Sequence, residues 1–374
     1  MHRLFSEQNH LQVTYSLYWS IFVYDFNLAF GHPAKDVCSV CVKSRMAMND
    51  LGLKEEEKRE KILQYSLHRR RARQFYNILN DVGDSFTVCF DIMENLVLPK
   101  SAIVQTYYSR QLYYYVFGVV RHHGRGESQS RHDIHLYTWL EYENAKDSNM
   151  IASALQHYFT AVAADNLHLC QCLRLFSDSC YGQNENINVL SMLFGLRSQL
   201  FPHLTINYFF PVRGHRFLPA DRVFGRIKQD IRKHTTILLP DEYASILHRH
   251  GNIHQYGRDW QCYDFKKEAA AFTTQQRSFK ISDARVIQIC GERLDVKSSF
   301  AGDFIQHSVL KRGKRWPEFA PAPLPDANCV KLAKKRAVLK LLCELGVPAT
   351  VQEFYNDVLS SAGDRDIAQN LEDE

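Results

Sequence analysis

Between residues 86 and 233 the hydrophobic period changes in a fixed order, and that order constrains the fold more than any other feature. Phe86 to Ile92, Leu112 to Val120 and His135 to Leu140 are short runs dense in β-branched and aromatic residues, the pattern of strands. Residues 149–162 switch to helical spacing, with Ser148 placed as the cap. Leu169 to Phe176 reads as a fourth strand, Ile187 to Leu200 as a helix and Leu204 to Phe210 as a fifth strand. A further helix runs from Pro219 towards Lys233, with Pro219 in its first turn. The sequence thus predicts β-β-β-α-β-α-β-α, a mixed five-stranded sheet in an α/β fold.

Two of these strands end on an acid. Asp91 closes the run Phe86-Thr87-Val88-Cys89-Phe90, and Asp178 follows Leu173-Arg174-Leu175-Phe176-Ser177. Taken singly, each is an ordinary strand-end or capping aspartate. Together they stand at strand ends that face loops and helix starts, where α/β folds place chemistry. Paired strand-borne carboxylates are the donor set of metal-dependent phosphoryl transfer.

The rest of the chain adds context. An apolar share of 45% supports a packed core, and the formal net charge of +5 is compatible with nucleic acid without requiring it. The basic residues cluster at Arg69, Arg70, Arg71 and Arg73; at Lys311, Arg312, Lys314 and Arg315; and at Lys331, Lys334, Lys335, Arg336 and Lys340. Each cluster alone reads as a solvated face; three together favour a polyanionic partner. No window is apolar enough to span a membrane, and no secretory leader is evident. Ten scattered cysteines suggest reduced thiols rather than a disulfide framework. Cys38 and Cys41 have the spacing of a zinc half-site, with His32 or His68 as the nearest further ligands; buried thiols are the plainer alternative.

Upstream, Tyr15 to Phe30 reads as an aromatic helix, His32 to Cys41 as a loop and Glu55 to Leu79 as a long charged helix. Downstream, Gln255 to Phe265 and Arg277 to Ile289 read as short strands. Cys329 to Leu345 reads as a basic helix, Val351 to Leu359 as another helix and Asp364 to Glu374 as an acidic tail. The expected division is a helical region with the Cys-x-x-Cys element (1–82), an α/β core (83–252) and a small α+β extension (253–374).

The element order and its acids resemble the RNase H-like fold of nucleases and transposases. There the first acid lies on strand one, the second at the end of strand four and the third on the helix after strand five. Three segments carry a closer resemblance: Phe90-Asp91; residues 176–186, Phe-Ser-Asp-Ser-Cys-Tyr-Gly-Gln-Asn-Glu-Asn; and residues 214–228, Gly-His-Arg-Phe-Leu-Pro-Ala-Asp-Arg-Val-Phe-Gly-Arg-Ile-Lys. They look like a multi-copy, transposon-derived family with an uncharacterised RNase H-like domain, similar to Kolobok-type DDE transposases. The likeness spans residues 15–265, and Asp36 to Cys41 resembles that family's short Cys-x-x-Cys element. Two positions depart from the family pattern: Arg216 replaces a small hydroxyl residue, and Lys228 replaces an acid.

The resemblance implies a transposase-derived protein performing metal-dependent phosphoryl transfer on DNA in the nucleus, with a homo-oligomer among its assemblies. Asp91, Asp178 and Asp221 would be the catalytic acids and the ligands of Mg2+ or Mn2+. Gln183 and Asn184 would orient the phosphate, unless they are helix caps. His215 would reach the leaving group, unless it is a turn or core histidine, and Lys228 would touch phosphate. If the third ligand were instead the acid replaced by Lys228, the site would be broken, and the chain a domesticated, non-catalytic DNA- or protein-binding derivative. The missing DNA-binding module before the core fits such a remnant or a fragment. A cellular RNase H-like exonuclease is a third, weaker alternative.

Overall fold

A computed structural model describes residues 2–26, 37–50, 52–127, 129–180, 182–324 and 330–360. Its centre is one mixed ten-stranded sheet. The strands are β1 (Phe86–Ile92), β2 (Leu96–Leu98), β3 (Leu112–Arg121), β4 (Ile134–Leu140), β5 (Cys172–Phe176), β6 (Thr205–Phe209), β7 (Asn252–Gln255), β8 (Val286–Cys290), β9 (Arg293–Lys297) and β10 (Ile305–His307). Their lateral order is β10-β9-β8-β6-β5-β1-β3-β4-β7, with β2 paired to β3. β1, β3 and β4 form an antiparallel meander, while β5 and β6 run parallel to β1. β8 returns antiparallel on β6, and β7 lies parallel on β4.

Helices cover both faces of the sheet, which is why its central strands are apolar at nearly every position. The two faces can be read from side-chain parity. Phe86, Val88 and Phe90 of β1, with Tyr115, Phe117 and Val119 of β3, pack into a core shared with the helices Ser148–His157, Ile187–Gln199 and Phe265–Phe272. The opposite residues of β3 and β4, including Tyr114, Val116, Leu136 and Leu140, pack under the helices Pro219–Arg232, Pro240–Leu247, Leu332–Leu345 and Ala349–Ser360. Cys89, Phe176 and Phe209 form a smaller core with Phe75 and Leu79 of the long helix Glu55–Asn80. Arg174 on β5 ties that helix down. Its guanidinium donates to the carbonyls of Ile78 and Asp81 at the helix C-terminus and lies over the rings of Phe176 and Phe209.

Several expectations need correction. The sheet has ten strands, not five. The fourth predicted strand begins only at Cys172, because Ala164–Leu169 is helical. Asp147, not Ser148, caps the Ser148–His157 helix, its carboxylate accepting the N–H groups of Asn149 and Met150. The expected boundary at 252/253 falls inside β7, and β8 to β10 continue the same sheet instead of forming an appended unit. Residues 255–265 are not a strand of their own, and a helix follows at Phe265–Phe272. Upstream, Tyr15–Ser20 is an α-helix that continues as a π turn, Ile21–Asp25. Residues 27–36, with the candidate ligand His32, and the tail 361–374 lie outside the described residues. No helix among the described residues is long and apolar enough to cross a membrane.

Candidate active site and metal centre

Asp91 lies at the C-terminal end of β1, and Asp178 two residues beyond the C-terminal end of its parallel neighbour β5. The third acid arrives from the helix layer. Asp91 is paired in register with Gly118 of β3, and a Cβ on Gly118 would stand 2.9 Å from the ring of Phe224. The bare glycine lets the Pro219–Arg232 helix sit close on the sheet. Asp221 is one turn before Phe224, on the same helical face. Its Oδ2 accepts the N–H of Leu218 at 2.7 Å, which sets the helix start.

The charges of the other two acids act on Asp91. Burial, then the charges of Asp178 and Asp221, push the Asp91 carboxyl well above the usual carboxylate range; the Ile92 N–H and the Arg216 cation offset part of this. Asp178 is held from several sides. Asn184 donates to its Oδ1 at 2.6 Å, as does the N–H of Cys180 at 3.2 Å, and Arg216 stands 3.6 Å from Oδ2. The turn that brings Asn184 back is built on one acceptor, the Cys180 carbonyl, which takes the N–H groups of Gln183, Asn184 and Glu185. The following helix is capped by Asn186, so Gln183 and Asn184 are not its cap residues. Gln183 is buried beside this turn. Glu185, 1% exposed, has a buried Oε1 with no hydrogen-bond partner. Burial, with Asp178 and Asp283, pushes its carboxyl up to about 7 against the pull of Arg285 and Arg213.

Lys228 is directed elsewhere. Its ammonium pairs with Glu94 at 2.6 Å, two helical turns beyond Asp221. His215, expected at a leaving group, instead turns its Nε2 towards Cys41 and His68, at 3.3 and 3.0 Å. Cys38 Sγ lies 3.2 Å from His68 Nε2. The four ligand atoms of Cys38, Cys41, His68 and His215 all fall within 4.8 Å of one another, and this Cys2His2 cluster could hold a metal ion. Ligand atoms around a tetrahedral ion with bonds of about 2.0–2.3 Å lie about 3.3–3.8 Å apart, close to the spacing here. Burial, with the cations of Arg69 and Arg71, lowers His68; burial, with His68 and Arg69, lowers His215, so both imidazoles favour the neutral, ligating form.

The cluster is assembled from distant segments. Cys38 precedes and Cys41 lies within the helix Ser39–Met48, not in the loop that the sequence predicts, while His68 comes from the helix Glu55–Asn80. His215 follows Gly214, whose φ is +80° and whose Cβ position would be 2.8 Å from Cys38 Cβ and Sγ. Only glycine suits both the dihedral and the contact. Tyr76, two turns after His68, donates to the His215 carbonyl and accepts the N–H of Phe217, both at 3.2 Å.

The basic clusters separate. Arg69, Arg70, Arg71 and Arg73 are exposed, and Arg69 and Arg71 act on the histidines of the metal cluster. In the second cluster Lys314 lies over Phe272 and Arg315 pairs with Glu318. In the third, Lys334 is buried against Glu141 at 2.7 Å, where it anchors the Leu332–Leu345 helix.

Residues 105–282 match a family model described as "Domain of unknown function (DUF7869)". The matched span includes Asp178, His215 and Asp221 but begins after Asp91 and after Cys38, Cys41 and His68. No curated protein and no solved structure matches the chain.

Proposed function

We propose that this chain is an RNase H-like, transposase-derived protein whose acidic centre supports divalent-metal phosphoryl transfer on DNA. The observation that carries this reading is the placement of Asp91 and Asp178 at the ends of adjacent parallel strands with Asp221 on the helix packed close over Gly118, so that both other acids act on half-buried Asp91. The strand order supports it. Leaving out β2 and the flanking strands, the core reads β4-β3-β1-β5-β6, the meander-then-parallel order of RNase H-like folds. Three carboxylates offer hard oxygen donors of the kind Mg2+ or Mn2+ prefers. Such ions, when bound, supply an activated nucleophile and stabilise the leaving oxygen.

The chain's own residues orient the donors. Asn184 and the Cys180 N–H fix the Asp178 carboxylate, and the Leu218 N–H fixes Asp221. The exposed arginines on the Glu55–Asn80 helix, with Arg213, Arg216 and Arg222 near the centre, offer cations to a phosphate backbone. In the Cys2His2 cluster, soft thiolates and imidazoles in a near-tetrahedral set suit Zn2+.

A non-catalytic, DNA-binding derivative is favoured by one observation, the Arg216 cation standing 3.6 Å from Asp178 where a metal would otherwise balance the charge. Mn2+-dependent cleavage of end-labelled DNA separates the two. Cleavage by wild type that is lost in Asp178→Asn supports the nuclease; salt-sensitive binding without cleavage, unaffected by Asp178→Asn, supports the derivative.

A further inference from the structure

We infer that the Cys2His2 centre is a latch on the acidic centre: zinc held by Cys38, Cys41, His68 and His215 fixes the loop 213–218 and thereby sets the positions of Arg216 and Asp221. This rests on the phosphoryl-transfer reading of the acidic centre and names what controls it. The connection is one of sequence adjacency and contact. His215 is a ligand of the cluster, and the next residue, Arg216, reaches Asp178. Three residues after His215, Leu218 donates its N–H to Asp221.

Around His215, the holds on this loop come from the N-terminal segments, while Leu218 at its end is buried against Cys89, Phe176 and Phe209. Cys38 lies against Gly214 and has the Arg213 carbonyl 3.7 Å from its sulfur. Cys41 and His68 face the His215 ring, and Tyr76 brackets the backbone at His215 and Phe217. Arg213, Arg216 and Phe217 are exposed, so before Leu218, which is buried in the small core, residues 213–217 have little core of their own. An exposed loop with few apolar contacts opens easily unless it is tied down. Four soft ligands drawn from the Cys38–Cys41 element, the long helix and the loop form such a tie. Without the ion, two thiols and two neutral imidazoles face one another through weak polar contacts, and the tie is lost.

Cys41 serves as the probe because its partners are His215 and Cys38 rather than the aspartates, so its effect on them travels through the cluster and the loop. Wild type, Cys41→Ser and wild type stripped of zinc by a chelator are compared by elemental analysis, deuterium uptake and Mn2+ calorimetry. Wild type should carry about one zinc per chain. In both zinc-free forms, peptides covering 210–224 should exchange at least about tenfold faster while β1 stays protected. Mn2+ affinity should weaken about ten- to hundredfold, the scale of losing an outer support of a metal site.

Wild type without zinc, or zinc-free forms with an unchanged loop or unchanged Mn2+ affinity, would overturn the latch and leave the phosphoryl-transfer reading standing. Simultaneous loss of protection in β1 would also overturn it, since zinc would then hold the whole fold. A wild type that takes up no Mn2+, with a loop that still loosens on zinc removal, would sink the phosphoryl-transfer reading and keep zinc's hold on the loop.

Discussion

The acidic centre and the Cys2His2 centre are neighbours joined by a few residues, yet they are built in opposite ways. The acids stand on the sheet and on a helix packed against it, so their spacing follows from backbone geometry that the core already enforces. The sulfurs and imidazoles come from a short helix, a long helix and a loop, brought together by packing of the two helices and by Tyr76 rather than by a sheet. One is three like charges held close by the fold against their repulsion. The other is four ligands gathered from segments far apart in the sequence. On the proposed reading, a divalent ion would relieve repulsion in the first and supply cohesion in the second.

The sharpest way to break this contrast is at Asp91. Asp91→Asn removes a half-buried carboxyl on which two other acids act. DNA cleavage with Mn2+ should fall by at least about a hundredfold, the loss expected when a group that stabilises transition-state charge is removed. The same variant should melt at a higher temperature than wild type in chelator at neutral pH. A carboxyl raised by folding contributes stability at low pH that is lost as pH rises through its folded value, and asparagine does not titrate. Scanning calorimetry with and without Mn2+ checks both signs. A metal-free Asp91→Asn that melts below wild type would contradict the repulsion.

Gly214→Ala tests the other centre. The substitution strains a φ of +80° and drives a methyl into Cys38, so about 1–3 kcal/mol and the bound zinc should both be lost, as read by denaturant titration and elemental analysis. Retained zinc would mean that the loop can reach the cluster by another path.

Glu185→Gln gives a pH-dependent effect confined to stability. Folding raises this carboxyl from its ordinary value near 4.5 to about 7, so wild type loses stability between those two values as pH rises. The glutamine should match wild type at pH 4 and exceed it by on the order of 3 kcal/mol at pH 8. Parallel melting curves across that range would show that Glu185 stays ionised in the folded protein. The smallest effect belongs to Lys228. Its partner Glu94 is exposed, so Lys228→Ala should cost less than about 0.5 kcal/mol and leave Mn2+-dependent cleavage intact. A large loss of cleavage would place Lys228 at the phosphate after all.

The two centres also differ in how well the sequence announces them. β1 and its closing Asp91 coincide with the predicted strand because an apolar run ending in an acid is a local signal. Asp178 was equally visible. The Cys38–Cys41 pair shows itself by spacing, but His215 lies 174 residues from Cys41, and no local pattern marks it as their partner. Tyr76 is invisible for the same reason, and Arg216 stands out only as a departure from the family pattern, with nothing local to show that it reaches Asp178. In the fold, β2 was missed because three residues carry no period. Leu169, the last residue of the helix Ala164–Leu169, reads as the start of a strand because its Leu and Cys neighbours continue an apolar run. β8 to β10 were read as an appendage because antiparallel return onto β6 is decided by a free strand edge, not by the residues of β8 alone.

Gly118 carries a consequence for how this molecule tolerates change. The thickness of the layer between β3 and the Pro219–Arg232 helix and the reach of Asp221 towards Asp91 are one dimension, set where the Phe224 ring rests on a residue with no side chain. An interior substitution there that only swells the packing, such as Gly118→Ala, would lift the helix and move an acid without touching any charged group. Residue 118 should therefore behave in a mutational scan like a member of the reacting centre, although it offers no atom to any chemistry.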